Sequence, residues 1–175
     1  FGPNAAAGCD WQTIDDARGE VVDRLLEADD IARPYNAKFA FEPLHPMVCG
    51  QRSCVSSLGE ALDVLGKLDE THQIGLAVDA YALWWEQDIA DRVMQAGPLI
   101  RNFHISDWLP DTHDLRLDRG MPGDGLIDLP GWRCMVEAAG YDGPVEVEIF
   151  SATKWWQTAP DEMVRTIVDR MNTAY

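Results

Sequence analysis

The sequence has 175 residues, 46% of them hydrophobic and 25% charged, a composition that fits one folded domain and excludes a disordered or membrane-spanning chain. Thirty Asp and Glu against 14 Lys and Arg give a net charge of -16, and with no Lys/Arg cluster to offset it the chain is a poor partner for nucleic acid or anionic lipid. No apolar run approaches the ~20 residues that span a bilayer, and no basic segment followed by an apolar stretch opens the chain, so the expected compartment is the cytoplasm, with no membrane partner.

The chain opens on Phe1, which reads as a processed N-terminus or a start inside a longer gene product. A small-residue loop follows, and then the stretch from Thr13 to Arg33 carries Val21, Val22, Leu25, Leu26 and Ile31 among charges, the spacing of a helix. Lys38 to Leu44 is short, apolar and aromatic, a strand. Ser56 to Leu68 is a second amphipathic helix, with Leu58, Leu62, Val64 and Leu65. The alternation continues with a strand at Ile74 to Asp79, a helix at Asp88 to Ala96, a strand at Leu99 to Ile105 and a helix at Leu129 to Ala139. Gly143 to Phe150 is the last strand, and Pro160 to Met171 the last helix, opened by proline near its first turn. Strands alternating with helices imply right-handed βαβ units and a parallel α/β sheet. Cys9, Cys49, Cys54 and Cys134 lack zinc-site spacing and read as free thiols, with Cys49 and Cys54 close enough in sequence to lie near each other.

The two-residue period of a strand divides each segment into two faces. One face is bulky: Phe39 and Phe41, Leu76 and Val78, Phe103 and Ile105, then Val145, Val147 and Ile149. It should meet the helices. The other is small and then polar towards the C-terminal end: Ala40 then Glu42, Gly75 and Ala77 then Asp79, Asn102 then His104, Glu146 then Glu148. Every strand thus delivers a carboxylate or an imidazole to one rim, and in a (β/α)8 barrel that rim is the catalytic face. A lone strand-end carboxylate is more often a cap or an ion-pair partner than a ligand, but convergence of this many at one rim favours a site.

Phe-Glu-Pro-Leu-His-Pro around Glu42, Ala-Val-Asp-Ala-Tyr around Asp79, Phe-His-Ile-Ser-Asp-Trp around His104, the glycine-rich run from Asp118 to Gly125, and Gly-Tyr-Asp-Gly-Pro-Val-Glu-Val-Glu-Ile-Phe from Gly140 to Phe150 follow one another in order. This series resembles the C-terminal half of the sugar phosphate isomerase/epimerase family of xylose isomerase-like TIM barrels. The resemblance implies that the chain carries about strands five to eight of a (β/α)8 barrel, with the end of strand four at 1–4. It implies a divalent metal on Glu42, Asp79, His104 and Glu148, an oxygen-rich set that favours Mn²⁺, Mg²⁺ or Co²⁺ and is compatible with Zn²⁺. The implied activity is isomerisation or epimerisation of a small ketose, sugar phosphate, keto-acid or cyclitol through an enediolate, with Glu42 and Glu148 exchanging the proton. Arg119 falls where the family places a substrate-contacting arginine; its other reading is an ion pair to Asp118 or Asp124. His45 reads as a packing or hydrogen-bonding residue rather than a fifth ligand, and with Trp108 joins the expected substrate contacts. Trp84, Trp85, Trp108, Trp155 and Trp156 closely follow rim ligands, where aromatic faces suit a sugar or simply pack the loops.

Glu146, one layer deeper, is expected as a buried support for the ligands or as an edge residue, and His72 and His113 are expected at the surface. Relatives often carry a histidine three residues after the strand-six aspartate, where this chain has Ala82. A whole barrel needs ~250 residues, and the two open edges of half a barrel call for further strands or a second copy of the chain. A dehydratase shares the same proton abstraction and is the nearest alternative, followed by a non-catalytic sugar-binding half-domain. An apurinic-site endonuclease of the same fold would need more than the four histidines present and a basic track for DNA.

Overall fold

Thr13 starts the first helix: its hydroxyl accepts the Asp16 N–H at 3.1 Å while the Asp16 carboxylate accepts the Thr13 N–H at 3.1 Å, a reciprocal cap. The computed structural model describes residues 13–49, 52–69 and 71–175; the expected strand end at 1–4 and Cys9 lie outside them. Helix α1 (Ile14–Ala32) buries Ala17, Val21, Leu25, Asp29 and Ala32, a stripe at helical spacing. Ile31, one position off that stripe, is 65% exposed. The acid within the stripe is held by two partners. Asp29 accepts the Gln73 N–H at 3.0 Å and pairs with Arg33 at 2.6 Å, tying the end of α1 to the residue just before the strand Ile74–Asp79.

The remaining elements are β1 (Phe39–Phe41), α2 (Leu58–Leu65), β2 (Ile74–Asp79), α3 (Ala80–Leu83), α4 (Ile89–Ala96), β3 (Ile100–Ile105), α5 (Leu129–Ala138), β4 (Val145–Val147) and α6 (Pro160–Thr173). Side-chain caps fix three of these helix starts, Ser57 accepting the Glu60 N–H ahead of α2, Asp79 the Tyr81 N–H ahead of α3 and Asp128 the Gly131 N–H ahead of α5. All strand pairings are parallel and the sheet order is β1-β2-β3-β4. Every residue of β2, a central strand, is buried. The core lies on the helix side, where Phe41, Leu76, Val78, Phe103 and Ile105 meet Leu58, Val64, Val93, Trp132 and Val136.

Several features depart from the expected pattern: the first strand contracts from 38–44 to Phe39–Phe41. The short helix α3, directly after Asp79, is additional. The last strand contracts from 143–150 to Val145–Val147, although Glu148 N–H still donates to Ile105 O at 3.0 Å and continues the direction of the ladder. Between β2 and β3 the register slips: Leu76 pairs with Ile100 but Ala77 pairs with Asn102, so Arg101 is an extra, unpaired residue. Its side chain lies against Gly75, where an added Cβ would meet Arg101 Cγ and the Leu99 carbonyl oxygen, each at 2.4 Å. Among the described residues, β1 and β4 each pair on one side only. Phe39 on that outer strand is 40% exposed, contrary to its expected contact with helices. Beside it an apolar cleft of about 390 Å³ is lined by Leu25, Ala28, Phe39, Phe41 and Leu44.

Candidate metal centre

Parallel register puts partner residues on the same sheet face, and it pairs Asp79 with His104 and His104 with Glu146. His104 is the penultimate residue of β3; Glu42 and Glu148 stand immediately after β1 and β4. One ligand atom from each of Glu42, His104 and Glu148 lies within 4.8 Å of the others. His104 Nδ1 is 3.7 Å from Glu42 Oε1 and 3.8 Å from Glu148 Oε2. These separations are too long for hydrogen bonds, and Nδ1 is buried without a hydrogen-bond partner. Donors about 2.1 Å from one ion sit roughly 3–4 Å from one another, so small side-chain rotations would let the set hold a divalent cation. The adjoining Glu42 carboxylate is the main reason that the His104 pKa is raised, against the opposing effect of burial.

On its other side His104 Nε2 is 3.8 Å from Glu146 Oε2. Glu146 itself accepts from Asn102 Nδ2 at 2.8 Å, and its side chain is 53% exposed, an edge residue and not the buried support. Glu146 thus faces the edge of the imidazole opposite to the one turned towards Glu42 and Glu148.

Asp79 is brought to the same rim, but its oxygens are engaged. Oδ1 accepts the Tyr81 N–H at 2.9 Å, which caps α3, and Oδ2 accepts from Arg119 Nη1 at 2.9 Å. The same Nη1 lies 3.0 Å from Glu148 Oε2 and 3.3 Å from Ser106 Oγ. Complete burial pushes the Asp79 carboxyl up to about 6; Arg119 opposes this, Glu42 and Glu148 add to it, and the Tyr81 N–H opposes it again. Arg119 therefore pairs with neither Asp118 nor Asp124, the partners expected for it as an ion pair. Asp124 binds Lys154 and Arg170, and Asp118 accepts the His113 N–H. The cause is long-range folding of the loop: bridges Asp107↔Gly120 and Asp118↔Ser151, with Arg119 N–H donating to Phe150 O, turn residue 119 back over the strand ends. There its guanidinium lies 4.3 Å above the Tyr81 ring and 5.2 Å from that of Phe150.

His45 and Trp108 form the aromatic wall beside Arg119. Their rings are 4.9 Å apart, and Trp108 stacks on Tyr81 at 4.9 Å and leans on Trp84 at 5.7 Å. His45 Nδ1 accepts the Met47 N–H at 3.2 Å, which makes it a capping residue, and burial lowers its pKa. Ala82 is buried under this wall, its carbonyl accepting from Trp85 Nε1 at 2.7 Å. His113 is exposed as expected, whereas His72 is half-buried with Nδ1 accepting the Ile74 N–H.

Asp107 has a role that strand and helix periodicity do not mark. It is buried, and its carboxylate accepts the N–H groups of Trp108, Gly123, Gly125 and Ile127 at 2.8–3.0 Å, organising the whole glycine-rich loop. The signal was an acid directly after a strand and followed by clustered glycines. A Cβ on Gly125 would lie 2.2 Å from Trp108 O, so this glycine exists for the close approach.

Comparison with known proteins agrees with this architecture. The sequence matches the family described as xylose isomerase-like TIM barrel over residues 4–171. An inosose isomerase of Bacillus licheniformis is 28% identical over 160 residues, covering 87% of this chain and 54% of that enzyme, so the chain spans about half the length of the inosose isomerases it matches. A crystal structure of a Sinorhizobium meliloti protein superposes with a TM-score of 0.89 at 43% identity, and the IolI protein with a bound zinc atom superposes with a TM-score of 0.76 at 26% identity. Each alignment covers 95% of this chain and 60% of the other. With nearly its full length matched and its strand-end acids and histidine gathered on one rim, the chain belongs to the xylose isomerase-like TIM-barrel family.

Proposed function

We propose that the chain supplies the metal-binding, proton-transferring rim of an isomerase or epimerase that acts on a small ketose, sugar phosphate, keto-acid or cyclitol. Its four strands then correspond to strands five to eight of a (β/α)8 barrel, completed by further strands or by a second copy. The observation that carries this reading is the convergence of Glu42, His104 and Glu148 within 4.8 Å around a buried, unpartnered His104 Nδ1. Similarity to inosose isomerases and to a zinc-containing homologue supports it.

Glu42, Asp79, His104 and Glu148 are the proposed ligands, with Mn²⁺, Mg²⁺ or Co²⁺ suited to the carboxylates and Zn²⁺ compatible with the set. A bound divalent ion supplies Lewis-acid polarisation of the substrate carbonyl and acidifies the neighbouring C–H. Glu42 and Glu148 enter from opposite edges of the sheet, so one removes the proton and the other returns it. His45 and Trp108 cover the C–H face of the substrate, and Arg119 meets its oxygens. The loop N–H groups of Gly123 and Gly125 already serve Asp107 and do not form a phosphate cradle.

Incubation of the metal-loaded protein with inososes and ketoses in deuterated water tests this function. Deuterium should enter the carbon next to the carbonyl, chelation should stop it, and product analysis separates epimer from dehydrated product. Absence of both exchange and stoichiometric metal would refute the proposal.

A further inference from the structure

The Arg119 guanidinium contacts two of the proposed ligands, Asp79 and Glu148. One nitrogen, Nη1, bridges Asp79 Oδ2 at 2.9 Å and Glu148 Oε2 at 3.0 Å. Resting on the metal reading above, we infer that Arg119 is an internal competitor of the divalent ion: its guanidinium neutralises Asp79 and Glu148, and its hold on at least one of them weakens when the ion binds.

Glu42, Asp79 and Glu148 face one imidazole at a rim where Asp79 is fully buried, and buried carboxylates so close repel one another unless a cation lies between them. Arg119 supplies that cation. Each Asp79 oxygen already has a hydrogen-bond partner, Oδ1 taking the Tyr81 N–H and Oδ2 taking Nη1. It is absent from the group of donors that lie within 4.8 Å of one another, to which Glu148, held by the same Nη1, belongs. A divalent ion that draws on Asp79 and Glu148 would compete with the arginine for the same two oxygens, Oδ2 and Oε2.

The arginine is itself incompletely satisfied where it lies: its Nε–H is buried without a hydrogen-bond partner, a costly condition. It also has somewhere to go. The guanidinium already rests 4.3 Å above the Tyr81 ring and 5.2 Å from Phe150, and the cleft it borders is lined by His45 and Tyr81. An aromatic surface stabilises a released guanidinium without a carboxylate. Metal loading and the position of the arginine at the substrate cleft are then one linked event.

The test is calorimetric titration of the metal-free protein with Mn²⁺ and Zn²⁺, comparing the parent, Arg119→Gln and Arg119→Lys. Removing a charge-assisted hydrogen bond that opposes the ion should tighten metal binding about 10–100-fold in Arg119→Gln, with Arg119→Lys between it and the parent. The glutamine variant should also show the larger rise in melting temperature on adding metal. Should Arg119→Gln fail to fold, ¹⁵N spectra of the parent give the same answer, because the Arg119 Nε–H resonance must move when Zn²⁺ saturates the site. Tighter binding in Arg119→Gln, including binding by that variant alone, supports the inference, as does a moving resonance. Equal or weaker binding by Arg119→Gln beside a metal-binding parent, or a stationary resonance, overturns it. Failure of all three proteins to bind either ion overturns the metal reading itself, and the inference with it.

Discussion

Glu148 shows how much one side chain is asked to do. It points towards His104 Nδ1, accepts from Arg119, and stands where the proposed reaction needs a proton-transfer group. Glu148→Gln keeps an oxygen for the metal and removes the base, so turnover should fall by roughly 10²–10⁴ while substrate still binds. Steady-state kinetics with a separate binding measurement checks this; full activity at saturating substrate would leave Glu42 without its partner. Asp79→Asn should fail differently. It weakens a ligand, so added metal should restore part of the activity by mass action, which it cannot do for a missing base. Both acids were legible in the sequence because strand alternation and strand ends are local properties. The partners of Arg119 were not, because sequence neighbours such as Asp118 and Asp124 say nothing about a loop that folds back across the strand ends.

At the scale of elements, two buried acids outside the candidate site carry much of the architecture. Asp29 joins α1 to the start of β2, and Asp29→Ala would leave the Gln73 N–H without its acceptor at a cost of about 1–3 kcal/mol. Burial alone would raise the Asp29 pKa, but the Gln73 N–H and Arg33 outweigh it and hold the carboxyl below its ordinary 3.8. A depressed pKa contributes stability that is fully present above 3.8 and is lost as pH falls through the lower folded value. The gap between parent and Asp29→Ala in urea melts should therefore be largest near neutrality and narrow in strong acid. Asp107 holds more of the chain, and Asp107→Ala should cost about 3 kcal/mol or more, since several loop N–H groups lose one acceptor together. A denaturation midpoint within error of the parent would show that the loop has another anchor. Neither acid was legible, because hydrophobic periodicity records apolar residues and passes over a polar one that is buried by its hydrogen bonds. The extra residue Arg101 was hidden for a related reason: the strand period assumes an unbroken ladder, and only Gly75, small opposite the slip, marks the break.

For the whole molecule, the unpaired outer sides of β1 and β4 among the described residues, together with the apolar cleft beside Phe39, favour association. The net charge of -16 opposes it between identical chains. Light scattering should therefore find species larger than one chain, in proportions that grow as salt screens the repulsion; a single-chain species at all salt concentrations would contradict this. Glu42 and Glu148 come from the two outermost strands of the sheet. In a flat sheet, strands two intervals apart would stand about 9–10 Å from each other, yet residues of β1 and β3 come within 8 Å at their Cα atoms, and the Glu42 and Glu148 oxygens converge within 4.8 Å. The sheet is therefore curled with its acids on the concave side, and an ion bridging them would act as a tie across a bent plate. Bending the sheet and filling the site are then a single mechanical coordinate, so whatever flattens the sheet must also weaken its hold on the ion.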